Sequence, residues 1–321
     1  MRGTNYVVKR TLFALMTLLV AVTLNFVLFR AAPGDPASAL RCRACTPEFK
    51  EAQRKEFGLD KSKLEQYGIY VKQLAQGNLG SSFSSRRPVW EELKDPLLNT
   101  LPMVALGTIF SIVFGIASGV VAAWRRGTVA DWGNLSVSLF FYSLPTQWLG
   151  LMLVIVFAGV LPISGISDPF LEFTDPSWWD TFVDRLKHML LPSMTLGLVL
   201  YGDYALVTRS ALLQTLGEDY ILTARAKGLG AWRIVRRHAL RNALLPISTL
   251  IAISLGYLVG GAILVEAVFS YPGIGLEVYD AVFERDYPML QGAFLLLMLS
   301  VVLANYVADL LYLRLDPRIS E

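Results

Sequence analysis

Residues 218–246 read EDYILTARAKGLGAWRIVRRHALRNALLP, a basic and helix-forming stretch between two long apolar runs. Glu218 and Asp219 open a run of helix formers, and negative charge at that position favours a helix N-terminus. Gly228 follows as a helix stop, and a second basic helix is predicted over residues 231–240. Two interpretations remain open from the residues alone: an amphipathic helix bound to anionic lipid, or a rigid protrusion that another protein grips.

The composition is typical of a polytopic membrane protein. Of the 321 residues, 54% are hydrophobic and only 17% are charged, whereas soluble domains carry about a quarter charged residues. The formal net charge of +3 is too small to indicate a nucleic-acid partner, and none is expected. The first apolar run, residues 12–29, is longer than the core of about 7–15 residues in a signal peptide, so it predicts an uncleaved first span.

Six apolar stretches are long enough to cross a bilayer as helices, which takes about 20 residues each. Backbone groups in lipid must satisfy their own hydrogen bonds, and a helix does this within a single span. The sequence therefore predicts an all-α membrane protein with six transmembrane helices. The predicted spans lie near Thr11–Arg30, Leu101–Ala123, Leu135–Leu161, Met189–Leu206, Leu244–Phe269 and Met289–Leu313.

Basic residues are distributed unevenly between the loops that join these spans. Residues 209–241 contain seven cations, whereas the charged residues of the short loops around 168–188 and 270–288 are mostly acidic. By the positive-inside rule, this asymmetry predicts that both termini lie in the cytosol. Four regions follow: a cytosolic N-terminus with the first transmembrane helix (1–30), an extracytoplasmic helical segment (31–98), a core with five transmembrane helices and a cytoplasmic loop at 213–243 (99–314), and a cytosolic tail (315–321).

Cys42 and Cys45 are the only cysteines, and both lie in the extracytoplasmic segment. A local disulfide is favoured over two free thiols because an external compartment is oxidising. A tetrahedral zinc site would need two more ligands, and both histidines lie far away in sequence, so no metal site is predicted. The same segment is expected to form a small helical cap, with helices at residues 48–57 and 64–74.

Polar and helix-breaking residues mark a candidate pathway or gate within the spans. Asp203 is the deepest charged residue, and an intramembrane charge indicates a functional role by default. Pro145 and Gln147 predict a kink in the third span. Small residues recur every four positions from Gly107 to Gly119, which favours close helix contact, either inside the chain or with a partner chain.

Residues 223–228, TARAKG, resemble the core of the cytoplasmic coupling loop of ABC importer permeases. The general pattern of that loop is E-A-A, three residues and G, with a distal I-x-L-P. Ala224 and Gly228 stand in the Ala and Gly places. Leu222 stands where the Glu would be, and Leu245-Pro246 lies further along the chain, as in the peptide-importer branch of the family.

Motifs in the rest of the chain are also similar to that branch. They are APGDP at residues 32–36, GNLGSS at 77–82 followed by RPV at 87–89, EAVFSYPGIG at 266–275, DYP at 286–288 and DPR at 316–318. They occur in the expected order over nearly the whole length. The chain is therefore identified as a member of the binding-protein-dependent transport permease family, on its dipeptide and oligopeptide branch.

This resemblance implies a type I ABC importer permease fold in the plasma (inner) membrane of a prokaryote, with a small helical extracytoplasmic insertion between helices 1 and 2. It implies a second homologous permease, two ATPase subunits that bind ATP and Mg²⁺, an extracytoplasmic substrate-binding protein and a peptide substrate. Closure of the ATPases would move the coupling helix, and the pathway would alternate between outward and inward access. The residues expected to dock on an ATPase are Glu218, Asp219, Tyr220, Thr223, Ala224, Arg225, Ala226, Lys227 and Gly228.

The chain itself is expected to be no enzyme and to hold no cofactor, since the phosphate-binding pattern G-x-x-x-x-G-K-[ST] does not occur in it. Within the family, nickel, haem or another small solute is the alternative substrate. A stand-alone secondary transporter or channel is the alternative of a different class, but it would require paired inverted repeats, which the two halves do not show. An intramembrane enzyme is less supported, because neither histidine shares a span with a nucleophile or a metal partner.

Overall fold

The computed structural model describes residues 2–31 and 61–315, and nearly all regular structure in these ranges is helical. Two π-helical turns occur there: Val27–Ala31 follows the helix that ends at Phe26, and Val235–Ala239 joins the helix that ends at Ile234 to the one that begins at Leu240. The α-helices in these ranges are α1 (Arg2–Phe26), α2 (Lys63–Ala75), α3 (Val89–Trp124), α4 (Val129–Ser143), α5 (Thr146–Phe157), α6 (Trp178–Leu216), α7 (Asp219–Ala226), α8 (Ala231–Ile234), α9 (Leu240–Phe269), α10 (Ile274–Glu284) and α11 (Tyr287–Leu315).

Four helical segments in the described ranges are long and apolar enough to cross a membrane, and the number rises to six if each of two bent helix pairs is one span. The four are Tyr6–Phe29, Val89–Trp124, Trp178–Leu216 and Tyr287–Val307. The predicted all-helical membrane class is confirmed, and the predicted count of six is the upper value of this range. The predicted boundaries at residues 30, 98 and 314 concern the sides of a membrane and stay a prediction.

The kink predicted at Pro145 is present as a complete break between α4 and α5, whose axes differ by 107°. Leu144 is extended, with φ −77° and ψ 132°. A residue that precedes proline is driven out of the helical region by contact with the proline ring. Pro145 therefore ends α4 at Ser143, and α5 begins directly after it at Thr146.

The chain forms two compact units, one made of Met1–Thr100 with Pro272–Glu321 and the other of Leu101–Tyr271. In the first unit α1 packs along α11, where the Asn25 side chain donates a hydrogen bond of 3.0 Å to the Gln291 carbonyl. In the same unit Asp286 Oδ2 accepts hydrogen bonds from Ser82 Oγ at 2.6 Å and from the Ser84 amide at 2.9 Å. Two of the motifs that carry the resemblance, GNLGSS and DYP, are thus joined to each other.

In the second unit the small residues of α3 face α6. A Cβ atom added to Gly107 would lie 2.7 Å from the Ser193 carbonyl oxygen, and one added to Gly115 would lie 2.5 Å from Tyr204 Cβ. Real Cβ atoms do not approach other atoms so closely. The two helices can therefore pack this closely only because these positions lack a side chain. Of the two interpretations of this stripe, the structure supports internal packing.

We predict that Gly115→Ala lowers the thermal stability of the protein. The added methyl group meets Tyr204 Cβ at 2.5 Å, and overpacking of this kind costs about 1–3 kcal/mol. Gly133→Ala is the matched control, since Gly133 lies inside α4 with nothing within 4 Å of an added Cβ. Melting of each detergent-solubilised variant, followed by size-exclusion chromatography, checks this. Equal melting temperatures for the two variants would contradict the packing described.

Two groups of predictions in the first unit have different outcomes. The helix predicted at residues 64–74 is found as α2, which begins at a capping box in which the Ser62 hydroxyl and the Glu65 carboxylate bond each other's backbone N–H. The hydrogen bond from the Ser62 hydroxyl lowers the pKa of Glu65. The disulfide proposed for Cys42 and Cys45 and the helix at 48–57 lie outside the described residues, as do APGDP and DPR.

Candidate coupling site

The central stretch of the sequence begins with α7, a helix of eight residues that follows α6 after Gly217. Its C-terminus is closed by two hydrogen bonds, from the Gly228 amide to the Arg225 carbonyl at 2.9 Å and from the Leu229 amide to the Ala224 carbonyl at 3.3 Å. Gly228 has φ +73°. These features define a Schellman motif, which requires a left-handed residue after the helix and so favours glycine. The predicted helix stop at Gly228 is present.

One face of α7 is buried in a hydrophobic cluster. Ile221 is fully buried and Ala224 is only 5% exposed. The cluster also contains Val120 and Ala123 of α3, Ala211 and Leu212 of α6, and Ile234, Val235, Ala239 and Ala243 of the segment that leads into α9. An isolated helix of eight residues would be unstable in water. The position of α7 is therefore set by its packing against three long helices.

The opposite face of α7 is exposed and carries an apolar side chain. Leu222 is 68% exposed and Tyr220 is 40% exposed. The Tyr220 hydroxyl accepts a hydrogen bond of 2.7 Å from Asn242 Nδ2, which ties this face to the start of α9. The other predicted docking residues that are exposed are Glu218, Asp219, Thr223, Arg225, Ala226, Lys227 and Gly228.

The structure separates Ala224 from the other predicted docking residues, since Ala224 is buried and the others are exposed. Leu222 was not among the predicted residues, although it is more exposed than Tyr220. Two adjacent apolar residues, Ile221 and Leu222, lie in the first half of this helix, and only one of them can point to the core. A signal for Leu222 was present in the sequence, but the local pattern did not decide which of the two is buried.

A bidentate ion pair is formed by a residue of α6 that lies close to the hydrophobic cluster around α7. Arg209 donates from Nε to Asp131 Oδ1 at 2.6 Å and from a terminal nitrogen to Oδ2 at 2.9 Å. The Gly127 amide also donates to Asp131 Oδ2, at 2.9 Å, and Asp131 is 2% exposed. The pair joins the first turn of α4 to α6 across many residues of sequence. No local sequence pattern predicts this ion pair.

The residues proposed for a pathway or gate are not joined to one another by hydrogen bonds in the described part of the chain. Asp203 is half-buried on α6, and no hydrogen-bond or ion-pair partner for it occurs among the described residues. Pro145 lies at the break between α4 and α5, and Gln147 is half-buried in the first turn of α5. Their role in a pathway stays a prediction.

We predict that Gly228→Val loosens α7, whereas Gly228→Asn has a smaller effect. Nothing lies within 4 Å of an added Cβ, so the cost comes from the backbone at φ +73°. A left-handed conformation costs an ordinary residue about 1–2 kcal/mol, and asparagine tolerates it better than a β-branched residue does. Amide hydrogen exchange over residues 220–229 checks this. Equal protection in the two variants would exclude the backbone explanation.

Two family models match the chain. The model described as "Binding-protein-dependent transport system inner membrane component" matches residues 111–321. The model of the N-terminal part of such membrane components matches residues 4–104. Both describe membrane components of transport systems, as expected for a translocation subunit that is no enzyme.

Curated relatives match over nearly their full length. The di/tripeptide transport system permease protein DppB of Pseudomonas aeruginosa is 39% identical, with 98% of each chain covered. The dipeptide transport system permease protein DppB of Escherichia coli K12 is 38% identical, and the glutathione transport system permease protein GsiC of the same strain is 36% identical, again with 98% of each chain covered.

A solved structure supports the fold. A chain of the MetNI methionine ABC transporter, in an inward-facing conformation, aligns with a TM-score of 0.55 and 21% identity, covering 70% of this chain and 96% of that one. The predicted type I ABC importer permease fold and the resemblance to peptide-importer permeases are confirmed by these matches, whereas the helical insertion between helices 1 and 2 stays a prediction. The chain therefore belongs to the binding-protein-dependent transport system inner membrane component family, as a multi-pass protein of the inner membrane.

Proposed function

We propose that this chain is the permease subunit of an ATP-driven importer of short peptides. The observation that carries the proposal is the full-length likeness to three permeases named for di/tripeptides, dipeptides and glutathione. Glutathione is itself a tripeptide, so the three named substrates belong to one chemical class. No comparable observation favours nickel, haem or another small solute.

The outward face of α7 is the proposed ATPase-docking surface. It offers an exposed apolar side chain, Leu222, beside Tyr220, Thr223, Arg225 and Lys227, and such a mixture suits a groove on a partner protein. ATP and Mg²⁺ would be bound by the partner and not by this chain. A second permease, a second ATPase and an external binding protein complete the proposed importer, in which both termini of this chain are cytosolic.

The inward face of α7 is the proposed transmission surface. Ile221 and Ala224 pack against α3, α6 and the start of α9, so α7 cannot move without displacing these helices. Closely packed interiors move as bodies and deform little. A displacement of α7 by an ATPase would therefore rock the helix bundle, and the pathway would open alternately to the two sides of the membrane. Asp203 and the break at Pro145–Gln147 are the candidate residues of this pathway.

Leu222→Asp tests the docking surface without disturbing the core. Because Leu222 is 68% exposed, the variant should keep its melting temperature while losing most of the co-purified ATPase. Leu64→Asp is the matched control, since Leu64 is 84% exposed in the first turn of α2. Equal ATPase recovery from Leu222→Asp and from the wild-type protein would place the docking surface elsewhere.

Uptake assays test the substrate class. The chain is co-expressed with the second permease, the ATPases and the binding protein of the proposed importer, and the assembled complex is placed in vesicles. ATP-dependent uptake of labelled dipeptides or tripeptides, with no uptake of nickel or haem, is the expected result. Transport by this chain alone, without ATP, would instead support a secondary transporter or channel.

A further inference from the structure

The segment that leads from α7 to membrane helix α9 has two contrasting faces. Its inward face enters the cluster already described, and its outward face is cationic. The four side chains of the outward face, which we call the arginine stripe, are Arg233, Arg236, Arg237 and Arg241, all of them exposed. Their spacing of three, one and four residues keeps them on one side of a continuous helical segment.

These four cations have no counter-charge within the described part of the chain. No ion pair or hydrogen bond of any of their side chains occurs there, in contrast to Arg209, which binds Asp131, and Arg10, which lies 3.2 Å from Asp309. Four like charges on one short segment repel each other. Their proximity indicates a negatively charged ligand outside this chain.

A second membrane helix brings aromatic side chains to the same place. Trp124 is the last residue of α3, and its ring lies 5.1 Å from that of Trp232 in α8. These two residues, the tryptophan pair, are 44% and 49% exposed. Arg125, next along from Trp124, lies with its guanidinium 5.9 Å from the centre of the Trp124 ring. Tryptophans at the ends of spans concentrate at the boundary between membrane and water.

The arginine stripe ends three residues before the first exposed apolar residue of membrane helix α9. Leu244 and Leu245 are exposed apolar residues at the start of α9, 39% and 50% exposed. At a rise of about 1.5 Å per residue, Arg241 lies about 5 Å and Arg237 about 10 Å from Leu244 along the helix. The polar layer of a bilayer is about 5–8 Å thick on each side, and long arginine side chains reach into it.

We propose that the arginine stripe and the tryptophan pair bind the headgroups of anionic phospholipids. Phosphate diesters accept paired hydrogen bonds from guanidinium groups, and each cation near an anionic surface contributes about fivefold in affinity. The bound lipid holds the base of the coupling loop at the membrane surface. This site is separate from the exposed face of α7 and does not depend on the peptide substrate.

Fluorescence quenching at the tryptophan pair tests the proposal in the full-length chain. Trp124 and Trp232 are retained and the other five tryptophans are replaced by phenylalanine, leaving two of the seven. The protein is reconstituted in nanodiscs that contain brominated phosphatidylglycerol or brominated phosphatidylcholine. Quenching should show phosphatidylglycerol bound at least about fivefold more strongly than phosphatidylcholine.

Matched charge variants separate the arginine stripe from general charge effects. Arg236→Gln with Arg237→Gln should lower the ratio of phosphatidylglycerol to phosphatidylcholine affinity at least about fivefold. Lys72→Gln with Lys94→Gln removes two exposed cations of the other unit and should leave it unchanged. Native mass spectrometry of lipid retained by the chain with all seven tryptophans gives a second measurement that does not require the multiple replacement.

Three outcomes would overturn the proposal. One is equal quenching by the two brominated lipids, with equal lipid retention, while all the arginines are present. Another is relief of phosphatidylglycerol quenching by millimolar inorganic phosphate, which would indicate a site for a free anion. The third is loss of co-purified ATPase in the double arginine variant with unchanged lipid preference, which would assign the arginine stripe to protein docking.

Discussion

Ala224→Glu should unfold the coupling loop and release the partner ATPase while the permease remains in the membrane. Ala224 is 5% exposed and packs among apolar side chains of α3 and α6, so a glutamate there would bury an unpaired carboxylate. That burial costs several kcal/mol, more than an eight-residue helix can offset. Because about 1.4 kcal/mol corresponds to a tenfold change, we expect at least a tenfold loss of co-purified ATPase.

Ala226→Glu is the matched control for that prediction. Ala226 lies in the same helix and receives the same substitution, but its side chain is exposed. Hydrogen exchange over residues 219–229 should rise in Ala224→Glu and stay at the wild-type level in Ala226→Glu. Unchanged exchange together with unchanged ATPase binding in Ala224→Glu would contradict the inward placement of this residue.

Arg209→Met should destabilise the second unit by about 3 kcal/mol. The substitution leaves the Asp131 carboxylate buried, with the Gly127 amide as its remaining donor. The value is at the lower end of the range for broken buried pairs because the Arg209 side chain is itself 21% exposed. The melting temperature of the purified protein, measured with and without a second substitution at Asp131, reports this cost.

A double-mutant cycle distinguishes the orphaned charge from lost packing. Asp131→Leu combined with Arg209→Met removes both charges and should be less destabilised than Arg209→Met alone, since replacing both partners by apolar groups is often near neutral. Arg10→Met breaks the more exposed pair with Asp309 and should cost under about 1 kcal/mol. A double variant as unstable as the sum of the two single variants would show that the pair is not coupled.

The coupling loop shows which structural features local sequence patterns predict. The start of α7 at acidic residues, its stop at Gly228 and the break at Pro145 were all predicted, because each depends on backbone geometry within a few residues. The division of the loop into a docking helix and a basic segment was also predicted. The exposed Leu222 was missed because a hydrophobic residue beside another hydrophobic residue gives no unique inward direction.

The placement of polar and small residues required the tertiary structure. The stripe from Gly107 to Gly119 fitted either an internal contact or a partner chain, and the distance of 2.5 Å from an added Cβ on Gly115 to Tyr204 supports the internal one. Asp203, the deepest charged residue in the predicted spans, has no hydrogen-bond or ion-pair partner in the described part of the chain. The pair that does form, Asp131 with Arg209, joins residues far apart in sequence.

By itself the sequence determined that this protein is a helical membrane permease and where the short helix α7 starts and stops, and it predicted that this helix faces an ATPase in the proposed importer. These properties depend on hydrophobic length, helix caps and motif order, all of which are local. Only the tertiary structure decided that Ala224 points inward, that Leu222 points outward and that the arginine stripe has no ion-pair partner among residues 2–31 and 61–315. Burial of one helix face depends on which distant helices cover it, and that is a property of the packed chain.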